Sequence, residues 1–212
     1  MQSEYDQAGI GFDPAAVRVA RLAESVQVLR GLLAGEEVTF HGAHYRVTGH
    51  RAAPLPPSPV PLLVGGNGRR LLAVAAEHAD IVGFTGFSPD ASGAGVRLSH
   101  FGAADLADRI AQVRRRAGRR FDSLELNVLI QRVIVTDDRR AAVERVQSRV
   151  PSMSATELLD SPFLLIGTHD QMAEALRERR DRFWVSYWVV FAERPDSDQT
   201  LDTFGPVIER LS

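Results

Sequence analysis

The sequence predicts an α/β fold on a parallel sheet, and three observations carry that prediction. Short strand-like runs alternate with helical stretches, as in Leu62–Val64 before Arg69–His78 and Ala79–Phe84 before Ala103–Ala117. Such alternation implies parallel strands joined by crossover helices. The segment Leu62-Leu63-Val64-Gly65-Gly66-Asn67-Gly68-Arg69-Arg70 runs from a buried strand through a glycine turn into a helix. Finally, 212 residues with 44% hydrophobic and 25% charged are enough for one globular domain with a sizeable core.

The elements follow in order. Asp13 is placed to cap a helix with Pro14 at its first position, and Val17, Leu22, Val26, Leu29 and Leu33 approximate one apolar face ended by Gly35. Val38-Thr39-Phe40 and Tyr45-Arg46-Val47, joined through Gly42, read as a hairpin. Pro54 to Pro61 holds five prolines in eight residues and reads as a rigid connector. After the strands near residues 62 and 81, Gly86 to His100 reads as a long loop. Ala103–Ala117 is a helix with Leu106, Ile110 and Val113 on one side and arginines on the other. Leu124 to Val135 reads as one long strand. Helices at Arg139–Arg149 and Asp170–Arg180 are separated by a loop containing Pro151, Pro162 and Gly167. Val185–Phe191 is the last strand and Thr200–Leu211 the last helix.

Composition excludes several classes. A net charge of -2 gives no reason to expect nucleic acid or an anionic membrane surface as partner. Without cysteine there is no disulfide framework, thiolate metal site or cysteine nucleophile. Met1-Gln2-Ser3-Glu4-Tyr5 lacks the basic and apolar regions of a signal peptide, and no apolar run reaches the ~20 residues of a membrane span. A cytoplasmic protein is the expectation.

The glycine turn is the leading chemical feature. Gly65, Gly66 and Gly68 leave backbone N–H groups uncovered at a helix start, where the dipole favours an anion, and Arg69 and Arg70 follow. A nucleotide or flavin phosphate is one reading; a plain turn between strand and helix is the other. A Rossmann fingerprint fails, because the third glycine is missing and no acidic residue ends the next strand. His41 and His44 fall on opposite faces of a strand, with no third ligand at useful spacing. His78 lies late in a helix, near carbonyls it can bond. His100, in the long loop after the second strand, is the better candidate acid. Arg114-Arg115-Arg116 with Arg119-Arg120 reads as a solvated basic helix end rather than a nucleic-acid patch. Trp184, Tyr187 and Trp188 are explained by core packing or an open sheet edge. Ser186 lacks the Gly-x-Ser-x-Gly context of a hydrolase.

Taken together, the motifs resemble the C-terminal part of the luciferase-like monooxygenase superfamily, most of all its coenzyme F420-dependent oxidoreductases. The matching stretches are Glu4-Tyr5, Ala8-Gly9-Ile10, Phe12-Asp13, Arg18, Arg21-Leu22, Glu24, Val38-Thr39-Phe40-His41-Gly42 and His44-Tyr45. They continue through Pro61–Gly66, Ala75-Ala76-Glu77-His78-Ala79-Asp80, Ala117-Gly118, Leu124–Val128 and Ile166-Gly167-Thr168. The resemblance implies a partial TIM-barrel-like fold, with about four parallel strands similar to strands five to eight of a (β/α)8 barrel. It further implies a single domain, 1–212, lacking its N-terminal half: a helix and hairpin over 1–53, then βα units over 54–212. In such a fold the site lies at the C-terminal ends of the strands.

By the same resemblance Gly65 and Gly66 let the backbone approach a flavin, with Asn67, Gly68 and Arg69 as phosphate or ribityl neighbours. Phe84 and Thr85 lie at the next strand end, where Phe84 lines a ring pocket or fills the core. Gly167-Thr168 is a second anion-binding turn, or Thr168 simply an N-cap. The implied cofactor is F420, with FMN as alternative, and the implied reaction moves a hydride between the cofactor and a small organic substrate. The partner expected to complete the barrel is an identical chain or a separately encoded N-terminal half. The competing expectation is a non-catalytic family member serving as a binding or scaffold protein.

Overall fold

The structure, a computed structural model, describes residues 2–90, 95–191 and 199–211. It opens with α1 (Gln2–Gln7), which the sequence reading had not anticipated, and α2 (Ala15–Leu33). Pro14, not Asp13, occupies the N-cap of α2 and offers no side-chain bond. The Asp13 carboxylate instead accepts from Arg21 Nη1 at 2.6 Å, and its carbonyl from Arg18 Nη1 at 2.6 Å. Of the expected apolar face only Val26 is buried, and Leu29 is 46% exposed.

The hairpin forms as expected from β1 (Val38–His41) and β2 (Arg46–His50), antiparallel with an irregularity between Val38 and Phe40. Its turn is held by Glu24 of α2, whose carboxylate accepts from the N–H groups of Ala43, His44 and Tyr45 at 2.8–2.9 Å. Then come β3 (Leu63–Gly65), α3 (Arg69–His78) and β4 (Ile81–Phe84).

The expected loop after β4 contains structure of its own. β5 (Phe87–Pro89) and β6 (Val96–Leu98) form a two-stranded sheet; residues 91–94 of that loop lie outside the described residues. α4 (Ala103–Ala117) has the expected bounds, and Leu106, Ile110 and Val113 are all buried.

The single strand expected over 124–135 is two. β7 (Glu125–Ile130) and β8 (Arg132–Val135) take different partners, and the break falls at Gln131, whose N–H donates to the Phe163 carbonyl at 2.8 Å. α5 (Arg139–Gln147) follows. The expected loop after it contains α6 (Ala155–Asp160) and β9 (Leu164–Gly167). Both were missed for physical reasons. α6 is six residues long and stands on a Ser154/Glu157 capping box, too short to display a period. β9 is buried throughout, so it shows no alternation. α7 (His169–Phe183), β10 (Val185–Val190) and α8 (Gln199–Leu211) complete the chain.

Four strands form the main sheet, as the strand–helix alternation predicts, and their order is β10-β7-β4-β3. β10 runs parallel to β7, with Val185 beside Leu126 and Val190 beside Ile130. β8 and β9 make a separate parallel pair, Arg132 beside Leu164 through Val135 beside Gly167. Within the described residues no closed barrel is present: β3 and β10 end the sheet.

The chain divides into two compact units. One comprises Met1–Val82, Pro89–Arg97 and Ala111–Leu124; the other Gly83–Ser88, Leu98–Ile110 and Glu125–Ser212. In the first, Val64, Leu72, Ala75, Ala76, Val82 and Val113 are buried. Asp80 is its polar anchor, accepting from Leu62 N at 2.9 Å and Arg30 Nη1 at 3.0 Å. In the second, Ile130, Leu165, Met172, Ala173, Leu176 and Val207 form a core against which Val133, Trp188, Val190 and Phe204 pack. Each larger aliphatic of that core, Ala173 excepted, contributes about 1.5–3 kcal/mol by leaving water. Arg179 is buried beside this core and donates to the carbonyls of Leu164 at 2.8 Å and Leu159 at 3.1 Å; burial pulls its pKa down to about 10. Among the described residues no helix is long and apolar enough to cross a membrane.

Candidate functional site

In the first unit the glycine turn is built as the sequence suggested. β3 ends at Gly65, Gly66 sits at φ +152°, and Gly68 is the N-cap of α3 with no side-chain cap bond. The first helical bond runs from Leu72 N to the Gly68 carbonyl at 2.9 Å. The N–H groups of residues 69–71 therefore have no acceptor within the helix. A Cβ at Gly68 would meet no heavy atom within 4 Å, so that side of the turn is open. A ten-residue helix with an uncapped start suits a phosphate. Arg69 is exposed; with Arg70, Ala73, Gln112, Arg115 and Arg116 it lines an open groove of about 560 Å³. Gln112 Nε2 donates to the Arg69 carbonyl at 2.8 Å.

Three of the five arginines at the basic end of α4 and just beyond it are engaged locally. Arg116 pairs with Glu77, Arg114 lies over the Phe121 ring at 4.5 Å, and Arg120 donates to the carbonyls of Ala76 and Ala79 at the end of α3.

The second unit holds the remaining candidates. Phe84 is 1% exposed and belongs to the core, the commoner of its two readings. Thr85, just past β4, is half-buried; its Oγ accepts from Gln131 Nε2 at 2.8 Å and from Phe87 N at 3.3 Å. Its carbonyl accepts from Arg109 Nη1 at 3.0 Å. His100 stands in the left-handed region at φ +56°, rare for a residue with a Cβ and therefore strained. Its ring is half exposed, with Nδ1 3.9 Å from the Asp105 carboxylate. Gly167 is at φ +141°, and Thr168 is the N-cap of α7, forming a capping box with Gln171. The N–H groups of Thr168 and Gln171 are thereby bonded within that box, at 3.0 and 3.3 Å.

Two residues of this region escaped the sequence reading. The sequence pattern places Arg109 with the outward arginines of α4, yet it is 5% exposed. It donates to the carbonyls of Thr85, His100 (2.8 Å) and Asp105 (3.2 Å), with its guanidinium 5.5–5.6 Å from the Phe84 and Phe163 rings. Burial pulls its pKa down to about 10, and the Asp105 charge offsets only part of that. The signal was present: Arg109 is three residues after Leu106 and four before Val113, on the apolar stripe itself. The sequence pattern runs a single strand through Gln131, although it is the one amide within Val128-Leu129-Ile130-Gln131-Arg132-Val133-Ile134. Arg109 thus ties Thr85 and His100 to one helix, while Gln131 faces Thr85 from the end of the adjacent strand.

Comparison with known proteins agrees with this architecture. Residues 2–159 match the luciferase-like monooxygenase family. An F420-dependent glucose-6-phosphate dehydrogenase of Nocardia farcinica is 26% identical over 196 residues, 91% of this chain and 52% of that protein. The chain spans about half the length of that curated relative. Among solved structures, an F420-dependent secondary alcohol dehydrogenase in complex with an F420-acetone adduct superposes with a TM-score of 0.64 at 19% identity, covering 95% of this chain and 64% of the other. A riboflavin lyase with modified FMN and riboflavin gives 0.65 at 14% identity, covering 98% and 60%. With three quarters of its length inside the family match and its parallel sheet shared with these enzymes, the chain belongs to the luciferase-like monooxygenase family.

Proposed function

We propose that the chain is part of an oxidoreductase that moves a hydride between coenzyme F420 and a small organic substrate. The observation that carries this reading is the uncapped start of α3 beside Gly65 and Gly66, at the C-terminal end of a parallel strand. The family match and the F420-dependent relative support it. When bound, the deazaflavin supplies the hydride chemistry, and the protein binds, orients and excludes water. Gly65, Gly66, Asn67 and Gly68 bring the backbone close to the cofactor. The N–H groups at residues 69–71, with the Arg69 side chain, hold its phosphate. By the family resemblance, Thr85, Gly167 and Thr168 of the second unit are further candidate cofactor residues and His100 a candidate acid, each taken within that unit.

A second reading, FMN-dependent monooxygenation, draws on the neighbour solved with modified FMN. The sheet ends at β3 and β10, and a parallel sheet is normally covered, so we assign as partner a second copy or a separate N-terminal half.

The test is a parallel titration of the purified chain with F420 and FMN, with mass followed by light scattering. Saturable uptake of F420 upholds the proposal, and preferential uptake of FMN moves the chain to the second reading. A folded protein that takes up neither, alone or self-paired, is the non-catalytic relative.

A further inference from the structure

Thr85 and Gln131 leave a defined hydrogen-bonding pattern unspent. A threonine hydroxyl has one proton to give and two lone pairs. Both lone pairs of Thr85 Oγ are engaged, by Gln131 Nε2 at 2.8 Å and Phe87 N at 3.3 Å, so its proton must be donated elsewhere. The Gln131 amide is oriented by the same logic. Its second contact is the Leu129 carbonyl, at 3.4 Å, which can only accept, so the nitrogen faces Thr85 and Leu129. Gln131 Oε1 is then left without a donor among the described residues. Both side chains are half-buried and accessible, and each is the first residue past the C-terminal end of neighbouring strands β4 and β7.

We propose that Thr85 and Gln131 form a two-point recognition site for the amide edge of a cyclic imide or lactam. The Thr85 hydroxyl donates to the ring carbonyl, and Gln131 Oε1 accepts from the adjoining ring N–H. A cis-amide in a ring presents its carbonyl and N–H on one side, matching one donor beside one acceptor. A carboxylate or phosphate presents acceptors only and would leave Oε1 facing negative oxygen. Two ligands share the required edge: the pyrimidinedione ring of a flavin or deazaflavin, and a free cyclic imide substrate. The site rests on the reading of the strand ends as the active face.

The test measures binding of F420, FMN, N3-methyl-FMN, uracil and 1,3-dimethyluracil by calorimetry, on the wild type and on Thr85→Val, Thr85→Ser and Gln131→Leu. A bonded polar group lost from a partly buried site weakens binding about tenfold. The wild type should therefore prefer FMN, uracil or both over the methylated form by about tenfold. Thr85→Val should weaken binding of the unmethylated ligand by a similar factor, and Gln131→Leu should erase the methyl discrimination, while Thr85→Ser retains both. Discrimination within the FMN pair identifies the cofactor ring as the ligand; discrimination within the uracil pair identifies a free imide. FMN bound equally by all four proteins overturns the site and leaves the cofactor reading standing. Uracil discrimination without uptake of FMN or F420 upholds the site and overturns the cofactor reading. No binding of any probe overturns both.

Discussion

Replacing Arg109 by Met removes a buried cation while keeping most of its volume, and the structure sets the size of the effect. Three carbonyls, of Thr85, His100 and Asp105, lose a charged donor that sits 2.8–3.2 Å away. Hydrogen bonds to a charged group contribute about 1.5–3 kcal/mol each, so the gross loss is roughly 5–9 kcal/mol. Against this stands relief of the burial that pulls the guanidinium pKa down to about 10. That depression corresponds to about 3 kcal/mol. The net expectation is a destabilisation of roughly 2–6 kcal/mol, read from urea unfolding followed by circular dichroism. For a chain of this size the same loss lowers Tm by roughly 4–24 °C. Arg109→Lys keeps a cation but not the three-way fork, and should fall between Met and wild type. An Arg109→Met protein within about 0.5 kcal/mol of wild type would refute the clamp.

Three further outcomes are expected. Gly66→Val forces a β-branched side chain to φ +152° with its Cβ 3.0 Å from Leu71, so it should cost about 1–3 kcal/mol and abolish FMN or F420 uptake; undiminished uptake in a titration removes the turn from the cofactor site. Burial alone would raise the pKa of Asp80, but the Leu62 N–H, the Arg30 bond and the charges of Arg30 and Arg120 outweigh it and hold the carboxyl below its ordinary 3.8. Its stabilisation is therefore complete above about pH 4 and fades as pH falls toward the depressed value, so the unfolding gap between wild type and Asp80→Asn should close below about pH 4, and a gap unchanged from pH 7 to pH 3 contradicts the pairing. Thr168→Ala dismantles the capping box of α7 and should lower stability by about 1 kcal/mol in urea, with no loss expected if the box is not formed in solution.

What the sequence disclosed follows from which signals are local. α4 was legible to the residue because Leu106, Ile110 and Val113 repeat at helical spacing, and the β1–β2 hairpin because Gly42 marks its turn. The glycine turn at Gly65–Gly68 was legible because backbone without side chains at a helix start has few physical meanings. α6 and β9 were hidden, one too short and the other too uniformly apolar to carry a period. The break at Gln131 was hidden because β7 and β8 are both rich in aliphatic residues, and only their different partners, β10 and β9, separate them.

The sequence by itself determined the α/β class, the four principal strands and the uncapped glycine entry to α3, since each depends on neighbours a few residues away. Only the tertiary structure decided that Arg109 turns inward to the carbonyls of Thr85 and His100, and that Gln131 faces Thr85 across 46 residues of chain. The physical reason is that a polar side chain's role is set by the groups that meet it. Those groups arrive from distant parts of the chain, where no periodicity records them.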